Sequence, residues 1–405
     1  MNGNIFEVIV VGAGPSGLMC SYYLKHLGLE HILFDRGRLA ESWRSQRWDN
    51  FRMITPFKAN LLPGAKLKTR KPDAYGSAAD MVTMLQEYVS AFQLPVTEQA
   101  QVLSVEKAPN SPVFQVKVIH DNEMTRTYDA WQVVVAAGIS NRPVIPPIAI
   151  SLPKDIDQLH SSGYRQENKL KPGGVLVVGG GQSGLEIAHD LLSQGRSVWL
   201  SSAPHAQLPR DYRGNDIFQW LADSRVLEEG FGASHPMPAI TYPLDDEVAI
   251  TRSSLANRGV RMIGELARVE GQKLVFPEWK KEAIDSANAY SSSILRAIDQ
   301  RISGEKLASP PYEGNNTLDA LPVAEVLDLI DAGITNVIWA TGYSGSIPDI
   351  EYPVSTEQMQ IQSKGLTSVE GFYVVGGAHT ANSDYVVGAK DQASFVTNHI
   401  YGILR

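Results

Sequence analysis

The sequence predicts an α/β fold built from two copies of one strand–turn–helix plan, and three observations carry that reading. An apolar, β-branched run from Ile5 to Val11 breaks into Gly12-Ala13-Gly14-Pro15-Ser16-Gly17 and continues with apolar residues at helical spacing (Leu18, Met19, Tyr22, Leu24, Leu27). The same order recurs as Val175 to Val178, Gly179-Gly180-Gly181-Gln182-Ser183-Gly184, and Leu185 to Ala188. Each copy is followed later by an apolar run that ends in small residues, Val133 to Gly138 and Val337 to Gly342. Runs without polar alternation are strands covered on both faces, as in parallel sheets flanked by helices.

In the first copy, Gly12 permits the tight turn, Gly14 lets the backbone approach a pyrophosphate, and Gly17 lets the helix pack on the strand. Pro15 and Ser16 open the helix, whose free N–H groups and positive dipole end face an anion. A second strand, His31 to Phe34, ends in Asp35, placed to accept hydrogen bonds from a ribose. Strand, turn, helix, second strand and terminal acid in that order predict a Rossmann-like dinucleotide site.

The bulk composition narrows the classes of function. At 405 residues the chain can bury two or three cores. With 43% apolar and 20% charged residues it is of ordinary globular composition. A net charge of −8 argues against nucleic-acid or anionic-membrane partners. No apolar run reaches the roughly 18 residues that span a bilayer. The first strand begins by residue 5 and leaves no room for a leader ahead of it, so a cytoplasmic location is expected. Cys20 is the single cysteine, which excludes a disulfide framework, a CxxC redox pair and a thiolate metal cluster. No metal site is predicted.

Residues 36 to 76 open on a run dense in arginine and aromatic side chains, Arg36, Trp43, Arg44, Arg47, Trp48, Phe51, Arg52 and Phe57, with Asp49 and Thr55 among them. Such a loop is costly to expose and reads as a pocket wall, with aromatic faces for a ring system and guanidinium groups for pyrophosphate. A basic surface loop anchored by two tryptophans is the alternative. Residues 77 to 92 read as a helix. Gln101 to Glu106, Val113 to His120 and Arg126 to Asp129 read as a small antiparallel meander, followed by a separate buried strand from Trp131. Prolines 143, 146, 147 and 153 and the run Lys171-Pro172-Gly173-Gly174 mark a crossover.

The second copy has a second strand, Ser197 to Leu200, that ends in Ser201-Ser202 in place of an acid. A carboxylate there would bind a ribose 2′-hydroxyl and repel a 2′-phosphate, so its absence favours NADP over NAD. Arg196, Arg210 and Arg213 are the available sources of the missing positive charge. Beyond it, Arg258 to Val275 reads as two strands, Glu278 to Ser303 as one long amphipathic helix, and Gly388 to Ile403 as a terminal helix. Two dinucleotide sites in one chain suggest hydride transfer between the two nucleotides.

These residues resemble the class B flavin-containing monooxygenases, especially the bacterial CzcO-like flavoproteins beside the N-oxygenating and Baeyer–Villiger branches. The resemblance covers nearly the whole chain. It rests on Gly12 to Gly17, Ser42-Trp43-Arg44 with Arg47-Trp48-Asp49, Gly179 to Gly184, Ala340-Thr341-Gly342-Tyr343 and Val374-Val375-Gly376. The family fingerprint F-x-G-x-x-x-H-x-x-x-[F/Y/W] is half kept: His160 and Tyr164 match, whereas Lys154 and Ile156 stand in place of its Phe and Gly.

The resemblance implies a glutathione-reductase-like arrangement with an NADPH domain inserted into an FAD domain: residues 1–165 and 336–405 for FAD, 166–335 for NAD(P)H. Besides the residues already named, it implies cofactor contacts from Val102, Ala137, Gly138 and Asp384 around FAD. Around the second site it adds Gly181, Gln182, Ser183, Ala340, Thr341 and Gly342. NADPH, with NADH as the alternative, would reduce FAD; the reduced flavin would add O2 as a C4a-(hydro)peroxide and oxygenate a small organic substrate at N, S or a carbonyl carbon. Asp49, Arg52 and Thr55 are the catalytic candidates, with a purely structural Asp49–arginine pair as the bland alternative. A flavin oxidase or reductase without oxygenation is the enzymatic rival, and a redox-sensing flavoprotein the non-catalytic one. The oligomeric state is open, a homodimer included.

Overall fold

The computed structural model describes residues 5–68, 71–107, 111–121, 124–138, 140, 142–222, 238–241, 249–314, 326–344, 350–352, 361, 363–376 and 386–405. In chain order the main elements are β1 (Phe6–Val11), α1 (Pro15–His26), β2 (His31–Phe34), α2 (Ala78–Phe92), β3 (Val96–Thr97), β4 (Ala100–Lys107), β5 (Phe114–His120) and β6 (Met124–Val135). Then follow β7 (Asp157–His160), β8 (Gly174–Val178), α3 (Gln182–Ser193), β9 (Val198–Ser201), β10 (Arg261–Ile263), α4 (Lys281–Gly304), β11 (Ile334–Trp339), β12 (Phe372–Val374) and α5 (Val386–Leu404). The chain divides into two compact units. One holds Met1–Arg44, Thr55–Arg142 and Tyr343–Arg405, the other Ser45–Ile54 and Pro143–Gly342.

The first unit is built on a sheet ordered β3-β2-β1-β6-β5-β4, with β12 also pairing β6. β1 runs parallel to β2 (Val10 opposite Leu33) and to β6 (Val10 opposite Val134). The meander β4–β5–β6 is antiparallel. The predicted break between Arg126–Asp129 and the strand from Trp131 is absent, because β6 is one continuous strand. Its first half closes the meander, and its second half, Ala130 to Val135, pairs in parallel with β1. The switch in neighbours explains why the sequence alternates early and turns uniformly apolar late. Ile9, Val11, Phe34, Val116, Val133 and Phe372 share one core. α1 packs on α5, and α2 starts at a capping box in which Asp80 N donates to Ser77 Oγ and Ser77 N to the Asp80 carboxylate.

The second unit has an all-parallel sheet ordered β10-β9-β8-β11-β7. Its strands β8, β9 and β11 are buried throughout or nearly so, as their apolar runs require. The stretch predicted as two strands between Arg258 and Val275 forms three short ones, β10 with Arg268–Glu270 and Lys273–Val275; the last two close a tight hairpin around Gly271, which has φ +65°. The proline-rich Pro236–Leu244 stretch is described only at 238–241, and the loop around His379 and Asp384 lies outside the described residues. Among the described residues, no helix is long and apolar enough to cross a membrane.

Candidate functional site: two glycine turns

In the first unit the chain leaves β1 at Gly12, whose φ of +105° belongs to glycine. Its N–H donates to Phe34 O at 2.8 Å, tying the turn to β2. A Cβ on Gly12 would strike the Ala136 carbonyl, and one on Gly17 would overlap the Gly12 carbonyl. On Gly14 it would meet nothing within 4 Å. Gly12 and Gly17 are thus glycines for packing, whereas Gly14 faces open space. Gly14 is also the N-cap of α1 and brings no side-chain cap, so no capping side chain competes for the first-turn N–H groups. Pro15 and Ser16 follow, half-buried; a Cβ on Gly376, just past β12, would land on the Ser16 hydroxyl. The cradle fits a pyrophosphate held by backbone amides.

Asp35 stands at the end of β2 as predicted, with both carboxylate oxygens engaged by the backbone. Oδ2 accepts from Ala13 N at 2.8 Å and Oδ1 from Gly37 N at 2.9 Å. Burial raises its pKa above the ordinary carboxylate value, against the lowering effect of these two amides. The acid therefore braces the turn. Arg36 is exposed, Trp43 half-buried, and the exposed Arg44 donates from Nε to Leu39 O at 3.1 Å. Val102 is buried on β4; Ala137 and Gly138 are half-buried beyond β6, and Gly138 has φ +75° with open space at its Cβ position. Thr55 is buried, its hydroxyl donating to Asn60 Oδ1 at 2.8 Å, and Asn60 Nδ2 donates back to the Thr55 and Pro56 carbonyls. That closed turn leaves the Thr55 hydroxyl proton committed.

The second turn repeats the geometry. Gly179 has φ +123° and its N–H donates to Ser201 O at 2.8 Å. A Cβ there would strike the Ala340 carbonyl, and one on Gly184 the Gly179 carbonyl. Gly181, the N-cap of α3, again carries no side-chain cap, and the nearest atom to a Cβ on it would be His205 Nε2 at 3.9 Å. Gln182 is committed: Oε1 accepts from Ile240 N at 2.9 Å and Nε2 donates to Glu186 at 2.6 Å. Ser183 is half-buried beside it. Ala340 and Thr341 are half-buried past β11, and Gly342, at φ +78°, has open space at its Cβ position.

Ser201 donates from Oγ to Gly264 O at 2.8 Å. The three arginines offered for the charge near Ser201-Ser202 are engaged elsewhere. Arg196 pairs with Glu167 at 3.0 Å and Arg213 with Asp299 at 2.9 Å. Arg210 pairs with Asp216 at 2.7 Å and also donates to Ile54 O. The cation at this place is Arg252, a residue that the sequence reasoning missed. It is 2% exposed, donates from Nη2 to Gly180 O at 2.8 Å, and has Nε 3.4 Å from Ser202 Oγ and Nη1 3.4 Å from His205 O. Nothing local marks Arg252, which lies far along the chain from the glycine turn.

The remaining candidates lie on the Ser45–Ile54 stretch, which packs within the second unit. Trp48 is buried in its core, in edge contact with Phe51 at 5.1 Å, so it is a core residue of this unit. Asp49 and Arg52 are exposed and form no ion pair among the described residues; Asp49 N donates to Arg165 O at 2.8 Å. A cavity of about 240 Å³ is lined by Trp48, Asn50, Arg52, Glu186, His189, Asp190 and Ser193. Asp190 there accepts from Asn50 Nδ2 at 2.8 Å and from the Tyr164 hydroxyl at 2.6 Å. His160 is held at both ring nitrogens: Nε2 donates to Gly342 O at 2.9 Å, and Nδ1 accepts from Ser162 N at 3.1 Å and lies 3.0 Å from Ser162 Oγ. The two kept positions of the fingerprint, His160 and Tyr164, thus fasten β7 and its following turn to Gly342, beyond β11, and to α3.

Known proteins resemble this chain, some over nearly its whole length and others over about half of it. The CzcO oxidoreductase of Bacillus velezensis, itself uncharacterised, is 27% identical over 404 residues, spanning 98% of this chain and 100% of the relative. The probable indole-3-pyruvate monooxygenase YUCCA3 of Arabidopsis thaliana is 28% identical over 237 residues, 54% of each chain. The flavin-containing monooxygenase of Stenotrophomonas maltophilia superposes with a TM-score of 0.64 at 17% identity, over 99% of this chain and 100% of that one. The expected likeness to flavin-containing monooxygenases therefore holds in the fold. The family model for pyridine nucleotide-disulphide oxidoreductases matches residues 9–221, more than half of the sequence, and the chain belongs to that family.

Proposed function

We propose that the protein is an FAD- and NADPH-dependent monooxygenase acting on a small organic substrate, with FAD on the first unit and NADPH on the second. The observation that carries the reading is the pair of glycine cradles, each open at its middle glycine and each heading a helix without a side-chain cap. The relatives named as monooxygenases support the class of reaction. Cys20 is fully buried and burial pushes its thiol up to about 12, so it offers no thiolate for disulfide chemistry.

Bound flavin would accept a hydride from the reduced nicotinamide and react with O2. The chain's own residues bind and orient. Gly14 and the α1 N-terminus cradle one pyrophosphate, Gly181 and the α3 N-terminus the other. Asp35 holds the first turn in shape through Ala13 and Gly37. The FAD domain expected at 1–165 and 336–405 and the NADPH domain expected at 166–335 are proposed to correspond to the compact units Met1–Arg44, Thr55–Arg142 and Tyr343–Arg405, and Ser45–Ile54 and Pro143–Gly342. Asp49 and Arg52, exposed and unpaired with each other, are proposed to meet the substrate as polar positioning groups. The half-kept fingerprint, with Lys154 and Ile156 in place of its Phe and Gly, favours, as a second reading, a flavin oxidase or reductase.

The test is the stoichiometry of NADPH oxidation in air, with amines, sulfides and ketones screened as substrates. The monooxygenase reading expects one of them to lower hydrogen peroxide release well below one per NADPH while an oxygenated product accumulates. Full peroxide release with every substrate sinks it in favour of an oxidase. The absence of flavin-dependent turnover would leave a non-catalytic flavoprotein.

A further inference from the structure

We propose that Arg252 is the residue that selects the nucleotide of the second site, supplying from a distant element the positive charge that recognises a ribose 2′-phosphate. The proposal rests on the reading of that site as a dinucleotide site. Register locates the deciding position. Gly12 N donates to Phe34 O in the first unit, and Gly179 N donates to Ser201 O in the second. Phe34 and Ser201 are therefore equivalent, and so are the residues that follow them, Asp35 and Ser202. The position after the second strand is the one that reads the ribose 2′-group.

At Ser202 the chain has placed a cation. Arg252 begins a short helix, Arg252–Asn257, and reaches Ser202 Oγ and the carbonyls of Gly180 and His205. Its guanidinium carbon is 6.0 Å from the centre of the Trp279 ring, and Trp279 Nε1 donates to Ser202 O at 2.7 Å. Among the described residues no carboxylate pairs with it, although a buried arginine ordinarily has one. An arginine stripped of water and without a counter-ion among the described residues is costly, and a dianion that arrives with the ligand would offset that cost. Two of its three contacts are 3.4 Å long, at the weak end of hydrogen bonding, so Nε and Nη1 can turn to a phosphate.

The space for Arg252 is built into the turn. Gly180 is the equivalent of Ala13, and a Cβ on it would lie 2.4 Å from Arg252 Nη2 and 2.5 Å from Ser202 Cβ. The extra glycine at the centre of Gly179-Gly180-Gly181, Gly180, unneeded by the turn itself, is thereby explained.

The test is calorimetric titration of the flavin-loaded protein with NADP+ and NAD+, and with 2′,5′-ADP as the phosphate-bearing half alone. Wild type should bind NADP+ at least tenfold more tightly than NAD+. Arg252→Gln should lose that preference, weakening NADP+ and 2′,5′-ADP about thirtyfold and NAD+ less than threefold. Equal weakening of both dinucleotides would assign Arg252 to bracing the turn and overturn the proposal. A wild type that binds NAD+ as well as NADP+ would overturn it too. Should Arg252→Gln fold poorly, Ser202→Asp keeps the arginine and supplies the missing carboxylate. It should reverse the preference toward NAD+, and an unchanged preference rejects the idea. Binding of no nucleotide to wild type would instead reject the reading of the second site itself.

Discussion

At Gly12–Gly17 an acid closes the turn from outside: Asp35 accepts from the N–H of Ala13. At Gly179–Gly184 a base does so: Arg252 donates to the carbonyl of Gly180, the residue equivalent to Ala13. The strand, the glycine spacing, the open middle glycine and the uncapped helix are common to both. One backbone device therefore serves two charge environments, and the group beside the second strand's end sets the sign. The first environment suits a ribose hydroxyl, the second a phosphate.

The strongest way to break this comparison is to fill the packing glycines one unit at a time. A Cβ on Gly17 or Gly184 would sit within 2 Å of a backbone carbonyl oxygen, at 1.9 Å in each case. Neither carbonyl can yield without opening its turn, so Gly17→Ala and Gly184→Ala should each cost about 3 kcal/mol locally, the upper end of the range for overpacking. Gly17→Ala should purify without flavin, and Gly184→Ala should keep flavin but lose NADP+ binding. The absorbance at the flavin bands and calorimetry read both. If either variant loses both ligands alike, the two turns do not act as separate cradles.

Removing the acid is the next largest step. Asp35→Ala leaves the Ala13 and Gly37 amides without their partner, and orphaned amides cost about 1–3 kcal/mol each. The expected result is a melting temperature several degrees lower and flavin lost on gel filtration. Asp35→Asn keeps one acceptor and should fall between. A smaller effect is expected of Tyr164→Phe in the second unit, which deletes a 2.6 Å hydrogen bond to Asp190 but leaves Asn50 in place. A loss of about 1–2 kcal/mol is expected by urea denaturation, with flavin content unchanged.

The legibility of these features in the sequence follows from their range. Both glycine turns were readable because strand, turn and helix adjoin in the chain, and so was Asp35, one residue past its strand. The meander was readable except where β6 changes neighbours, since a strand with an antiparallel half and a parallel half has no single period. Arg252 was not readable: 72 positions separate it from Gly180, and only tertiary packing joins them. The Ser45–Ile54 stretch was readable only in part for the same reason. Its tryptophan and arginines suggest a pocket wall, and Trp48 and Arg52 do line a cavity, but Trp48 also packs with Tyr164 and Leu185 in the core of the second unit. The 240 Å³ cavity beside it depends on buried polar groups of α3, Glu186, His189 and Asp190, which lie opposite the apolar stripe of that helix and so read from the sequence as an outer face.

The smallest predicted effect uses one buried histidine in each unit. His31 donates from Nδ1 to Leu29 O at 2.9 Å and accepts at Nε2 from the Ser21 hydroxyl at 2.8 Å. His160 is likewise fixed in its neutral form by Gly342 and Ser162. Burial lowers both below the ordinary value of 6.5. Above pH 6.5 neither state is charged, and the stabilisation that these imidazoles contribute is complete. As the pH falls below 6.5 the unfolded chain takes up protons that the folded chain refuses, so stability declines until the folded pKa values are passed. Each histidine contributes at most about 1.4 kcal/mol per pH unit in that window. Urea midpoints measured from pH 7.5 to 5 should fall, and His31→Gln should flatten the slope in the first unit while leaving that of the second. Protonation of His31 would also turn Nε2 from acceptor to donor against Ser21, so Ser21→Ala should weaken the protein at pH 7.5 and less so at pH 5. An identical slope in His31→Gln and wild type would show that carboxylates, not the histidine, govern the acid side.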